Sequence, residues 1–175
     1  DRQREELDIK KRRKLVWEAQ KVMYEDAVLI NMYAQQTVGL YNKDLFSGIV
    51  PMFGQGLFNF WNAIQMEPKT DQRTLRVATI VDAKSLNVVG SRLGELEILQ
   101  QSFDTLTRIK ADGTTVNWAA KSIGNPDPKT YRVTLRDGMK WHDGKPVTAE
   151  DVKFTFDYYK EKGQPRLNRP LRQIK

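Results

Sequence analysis

The sequence predicts a mixed α/β fold of the α+β kind, a mixed sheet with flanking helices, and three observations carry that reading. Leu15, Val16, Ala19, Val22 and Met23 recur at the spacing of one helix face. Tyr131, Val133 and Leu135 alternate with Arg132 and Thr134 ahead of a turn pair, Asp137-Gly138, as a strand does. Thr148-Ala149-Glu150-Asp151 opens a further helix, its hydroxyl placed to cap a free amide and its acids at the positive end of the dipole.

In chain order, the first helix runs over 9–26, with Lys10, Lys11, Arg12, Arg13, Lys14 and Glu18 off its apolar stripe. The runs 27–34 and 37–41 read as two closely joined short strands, and 42–56 as an irregular, buried loop rich in glycine, proline and aromatic residues. Polar residues around Pro68 place a linker at 67–73 between two parts, 1–66 and 74–175. The run 74–81 is a strand apolar on both faces. Leu93, Leu96, Leu99 and Phe103 mark a helix over 93–103. Strands follow at 106–109, 116–123 and 131–136, with turns at Ala111-Asp112-Gly113, Asp137-Gly138 and Asp143-Gly144. In the last helix Val152, Phe156 and Tyr159 face one way and Phe154 and Tyr158 another, which predicts burial on two sides.

At 175 residues and 39% hydrophobic content, the chain supports one modest core or two very small ones. The net charge of +7 is uneven: 1–66 carries 9 basic and 8 acidic residues, whereas 160–175 alone holds six basic residues and one acid. That basic tail has no interleaved aromatic residue to stack on bases, so nucleic-acid binding is disfavoured. Cysteine is absent, which removes disulfides and thiolate chemistry and fits either redox compartment. No apolar run approaches the roughly 20 residues of a membrane span. The opening Asp1-Arg2-Gln3 reads as the interior of a longer protein.

No motif points to catalysis. Gly54-Gln55-Gly56 lacks the leading strand, the third glycine and the Lys-Ser or Lys-Thr of a phosphate loop, so it reads as turn geometry. His142 is the sole histidine and has neither a paired nucleophile nor fellow ligands, which leaves no triad and no ordinary zinc site. Glu95 and Glu97 point apart on their helix, and Glu150 and Asp151 serve a helix start. Phe53, Phe58, Phe60 and Trp61 either pack under their own loop or wall a ligand, and the flanking glycines favour packing. We therefore expect no enzyme activity, no catalytic residue, no metal site and no cofactor.

The stretch YRVTLRDGMKWHDGKPVTAEDVKFTFD over 131–157 resembles the signature region of family 5 extracellular solute-binding proteins, the dipeptide, oligopeptide and nickel receptors of ABC importers. TLRVATIVDAKSLN, QSFDTLTRIKADGT and VNWAAKSIGNPDPKTYRV resemble the segments that precede it in the family, in the same order. Two positions depart from the family pattern: Val88 replaces the usual proline after Ser85-Leu86-Asn87, and Ala120-Lys121-Ser122-Ile123 replaces a more acidic segment. Residues 7–48 are similar to the family's carboxy-terminal region, so the two ends stand here in reversed order. That order implies a fragment across the junction of two tandem receptors, or a permuted gene.

The resemblance implies a partial lobe of a two-lobed receptor that imports peptides, or a related solute, without covalent chemistry. It implies a bacterial lipoprotein in the periplasm or outside the cell, membrane-anchored in its complete form, with an ABC permease as partner. Ligand contacts implied by the family fall on Asn87, Val88 and Val89 in the loop after the first strand and on Tyr33, Gln35 and Gln36 near the strand pair. The two parts are expected to fold as one body, with a domain-swapped dimer as the rival arrangement. Two other functions compete: a basic module binding nucleic acid or anionic surfaces, and a receptor for a non-peptide solute such as a metal chelate or sugar.

Overall fold

The structure is a computed structural model that describes residues 2–30, 32–33, 38–52, 54–71, 74–78, 84–91, 98–163, 171 and 174. It divides into two compact units, one of residues 1–37 and 125–130, the other of residues 38–124 and 131–175.

In the first unit a short helix α1 (Arg2–Glu5) precedes α2 (Ile9–Glu25). Asp8 caps α2: its carboxylate accepts from the backbone N–H groups of Lys10 and Lys11 at 2.9 and 3.0 Å. The bond from Lys11 N–H first, and that from Lys10 N–H after it, hold the Asp8 carboxyl below the usual carboxylate range. The helix predicted at 9–26 is thus present, yet none of its residues is buried, and Val22 of the predicted stripe is 54% exposed. The two strands expected at 27–34 and 37–41 do not form in 28–30, 32–33 or 38–41; residues 31 and 34–37 lie outside the described residues. The chain leaving α2 closes the helix instead. Ala27 takes a left-handed conformation (φ 48°), and the Ala27 and Val28 N–H groups donate back to Tyr24 O and Met23 O.

The second unit holds most of the secondary structure. β1 (Phe46–Ser47) pairs antiparallel with β2 (Glu67–Pro68), which ties down the start of the segment read as a linker; Lys69 N–H adds a bond to Leu45 O at 2.8 Å. Between them lies α3 (Phe60–Gln65), capped by Asn59. Two buried asparagines knit the glycine-rich loop onto this helix. Asn59 Nδ2 donates to Val50 O and Gly56 O, while Asn62 accepts from Val50 N–H at 2.8 Å and donates to Leu57 O at 2.8 Å. An irregular segment stays ordered in this way because its backbone polar groups find side-chain partners. At Gly48, with φ +73°, an added Cβ would stand 2.9 Å from Gln65 O, so only glycine fits.

β3 (Thr107–Ile109) and β4 (Thr115–Asn117) form an antiparallel hairpin in which Arg108 faces Val116, closed by a turn at Gly113 (φ 80°). β5 (Ala120–Asp127) pairs with β6 (Thr130–Leu135) in a second hairpin. The single run expected at 116–123 is therefore broken at Trp118 and Ala119. Turns at Gly138 and Gly144 lead to α4 (Ala149–Lys162), whose capping box joins Thr148 and Asp151. Gly163, left-handed at φ 67°, ends it.

The composition is the mixed α/β fold predicted, a partial lobe in character. Three separate two-stranded sheets replace the one mixed sheet expected, among the described residues. Residues 74–78 of the expected strand at 74–81 lie in no strand, and 79–81 fall outside the described residues. Without an adjacent ladder, alternation alone cannot hold a strand. Of the helix expected at 93–103, residues 93–97 lie outside the described residues, Ile98 and Leu99 are helical, and the chain then closes in turns on Ile98 O and Leu99 O. Burial of α4 on two sides does not occur: it has no buried residue, and Phe154, stacked on Tyr158 with ring centroids 5.8 Å apart, is 67% exposed.

Candidate functional site

The ligand residues inferred from the sequence lie in different units. Tyr33 is 85% exposed in the first unit; Gln35 and Gln36 lie outside the described residues. Asn87, Val88 and Val89 belong to the second unit and form a tight turn. There the Asn87 side-chain oxygen accepts from Val89 N–H at 3.0 Å, its backbone carbonyl accepts from Gly90 N–H at 3.1 Å and from the Ser91 hydroxyl at 2.6 Å, and its own N–H donates to Ser85 Oγ at 3.0 Å. The fixed turn that proline usually supplies is made here by hydrogen bonds around Asn87. Val88 and Val89 are half-buried. His142 and Trp141 sit in the exposed turn before α4, where Trp141 N–H donates to Lys145 O and Gly144 N–H to Trp141 O.

A second constellation, of which the sequence pointed only to Phe60 and Trp61, is built from residues far apart in the chain. α3 presents Phe60 and Trp61; β3 presents Arg108; Trp118 follows β4. The Phe60 and Trp61 rings meet Trp118 edge to face at 5.1 and 5.8 Å, and the Trp61 indole N–H donates to Ile109 O at 2.7 Å. Edge-to-face packing of this kind places positive ring edges against negative faces. The Arg108 guanidinium lies over the Phe60 ring, 3.4 Å from its centroid.

The Arg108 side chain is only 6% exposed, whereas its carboxylate partner Asp104, 3.2 Å away, is 61% exposed. The Arg108 Nη2 group also donates to Phe103 O and Gln100 O at 3.1 and 3.3 Å. Asp104 Oδ1 is shared, since the Trp118 indole N–H donates to it at 2.7 Å. Arg108 Nε is buried and has no hydrogen-bond partner. Burial lowers the guanidinium below its ordinary value, and Asp104 only partly offsets that. Beside these groups opens a cleft of about 190 Å³ lined by Met52, Gln55, Phe60, Trp61, Gln100, Thr105, Thr107, Arg108 and Ile109. The signal that could have found this site was a charged residue, Arg108, at an inward strand position in 106–109.

Among the described residues, no three His, Cys, Asp or Glu side chains converge as a metal site would require, and no helix is long and apolar enough to cross a membrane.

A family model described as bacterial extracellular solute-binding proteins, family 5 middle, matches residues 114–174. The oligopeptide-binding protein OppA of Bacillus subtilis (strain 168) is 44% identical over 62 residues, 35% of this chain and 11% of that protein. The dipeptide-binding protein of Lactococcus lactis subsp. cremoris is 29% identical over 126 residues, 71% of this chain and 21% of the relative. The peptidoglycan-binding protein YepA of Agrobacterium fabrum is 35% identical over 83 residues, 47% of this chain and 12% of that one. No solved structure matches the chain significantly. Residues 114–174 are therefore similar to bacterial extracellular solute-binding proteins of family 5, and the chain spans only about a tenth to a fifth of the length of these relatives.

Proposed function

We propose that the chain is part of the substrate-binding component of an ABC importer that takes up peptides. The observation that carries this reading is the family match over 114–174, which contains the whole of the resembling stretch 131–157, together with relatives named for oligopeptide and dipeptide binding. In this reading the protein does no covalent chemistry and binds no nucleic acid. It lies in the periplasm or outside the cell, anchored to the membrane in its complete form, and hands its solute to a permease. Asn87, Val88 and Val89, with Tyr33, Gln35 and Gln36, meet the solute. The carbonyl oxygen of Asn87 is spent within its own turn, so its amide hydrogens are the group offered.

Residues 1–66 and 74–175 form one body in this reading, in the order opposite to that of the family. Support comes from 38–66, whose Phe60 and Trp61 pack on Trp118 within a single unit. The resemblance to a relative named as peptidoglycan-binding favours a second reading, in which the solute is a cell-wall fragment rather than a free peptide.

The test is a calorimetric titration of the complete receptor carrying this segment with dipeptides, longer peptides and soluble peptidoglycan fragments. Saturable binding of peptides is expected. Binding of peptidoglycan fragments alone would favour the second reading. Binding of generic DNA that weakens steeply with salt, with no peptide bound, would replace both with a basic interaction module.

A further inference from the structure

The Arg108 guanidinium is under-compensated. A buried charge is tolerated when it is paired and its donors are satisfied. Among the described residues, the one carboxylate in reach is mostly solvated, gives a single contact, and shares that oxygen with the Trp118 indole. Nε is unpartnered but sealed from the cleft, and the donor left for a ligand is Nη1, which makes no hydrogen bond among the described residues. Because the guanidinium lies face-on against Phe60, further acceptors can approach only in its own plane. The adjoining cleft has Met52 and the Phe60 and Trp61 rings on its apolar side, and the Gln55 and Gln100 amides, 3.3 Å apart, on its polar side.

We propose that this cleft binds a small monocarboxylate with an apolar body, the carboxylate taking up donor capacity of Arg108 that the protein leaves unused while the body lies against the aromatic wall. A guanidinium edge suits carboxylate and phosphate alike, but the wall of Met52, Phe60 and Trp61 favours an acid with an apolar body over bare, strongly hydrated phosphate. The volume of about 190 Å³ sets the size at that of a single amino acid or aryl acid, short of a peptide. The inference does not rest on the receptor reading: every group belongs to one unit, and none is a residue proposed above to meet the transported solute.

The experiment titrates the 175-residue chain, ¹⁵N-labelled, with phenylacetate, with its neutral isostere phenylacetamide and with inorganic phosphate, following the tryptophan indole N–H signals. Saturable shifts with phenylacetate are expected, with the amide binding roughly tenfold more weakly for loss of one charge-assisted contact. Arg108→Gln should weaken phenylacetate to a similar degree while leaving the amide unchanged. Should that variant fail to fold, the comparison of acid with amide in the unaltered chain decides alone. No saturable shift, equal binding of acid and amide, or phosphate binding as tightly as phenylacetate would each overturn the proposal.

Discussion

α2 and the Phe60–Trp118 cluster are both rich in apolar side chains, but they hold their shape by different means. α2 is specified locally, by a carboxylate cap at Asp8 and a run of good helix formers in its own seventeen residues, and it does not bury its stripe. The cluster joins residues up to 58 positions apart, and its rings, guanidinium and carboxylate fix one another. Local caps set where a helix begins and ends, whereas an aromatic box exists only when two distant segments meet. Stability in the second unit should therefore be sensitive to single side chains, and the shape of α2 should not.

The largest effect should follow loss of a ring from the box. Phe60→Ala should destabilise the second unit by about 3 kcal/mol, measured by denaturant unfolding, since it removes a buried ring and the platform for Arg108. A change below about 1 kcal/mol would mean the box is not a core. Thr148→Ala should cost about 1 kcal/mol by breaking the capping box of α4. An unchanged midpoint would show that the helix starts elsewhere. Val22→Ser should fall within about 0.5 kcal/mol, because Val22 is exposed on α2; a large loss would reveal a cover over the stripe.

The smallest effect concerns pH. Bonds from the Thr148 backbone N–H and hydroxyl hold the Asp151 carboxyl below its ordinary value. A carboxyl depressed in the folded state contributes stability above its unfolded value of 3.8 and loses it as pH falls through the folded value. The start of α4 should thus loosen only in strong acid, seen as faster amide exchange at Asp151, and neutral-range loosening would contradict the assignment.

The sequence made legible what local chemistry determines. α2 was expected at 9–26 and runs from Ile9 to Glu25, and the Thr148 cap and the Gly113, Gly138 and Gly144 turns stand where they were expected. Among the described residues of 27–41 and 74–81 the expected strands do not form, because β-branched residues and alternation give a preference that only a partner strand can realise. α3 was missed, although Asn59 ahead of Phe60 was the available cap signal. Of the candidate site, the Asn87 turn follows from local hydrogen bonds, but the meeting of Arg108 with Phe60 and Trp118 depends on chain topology that no local pattern encodes.

The measurement that bears most directly on the account cuts the chain within 67–73 by limited proteolysis, then follows the product by size exclusion and thermal melting. If 1–66 and 74–175 form one body, the two pieces should co-elute and melt in a single transition, held by Phe60 and Trp61 against Trp118. Pieces that separate under native conditions, each with its own cooperative transition, would contradict it.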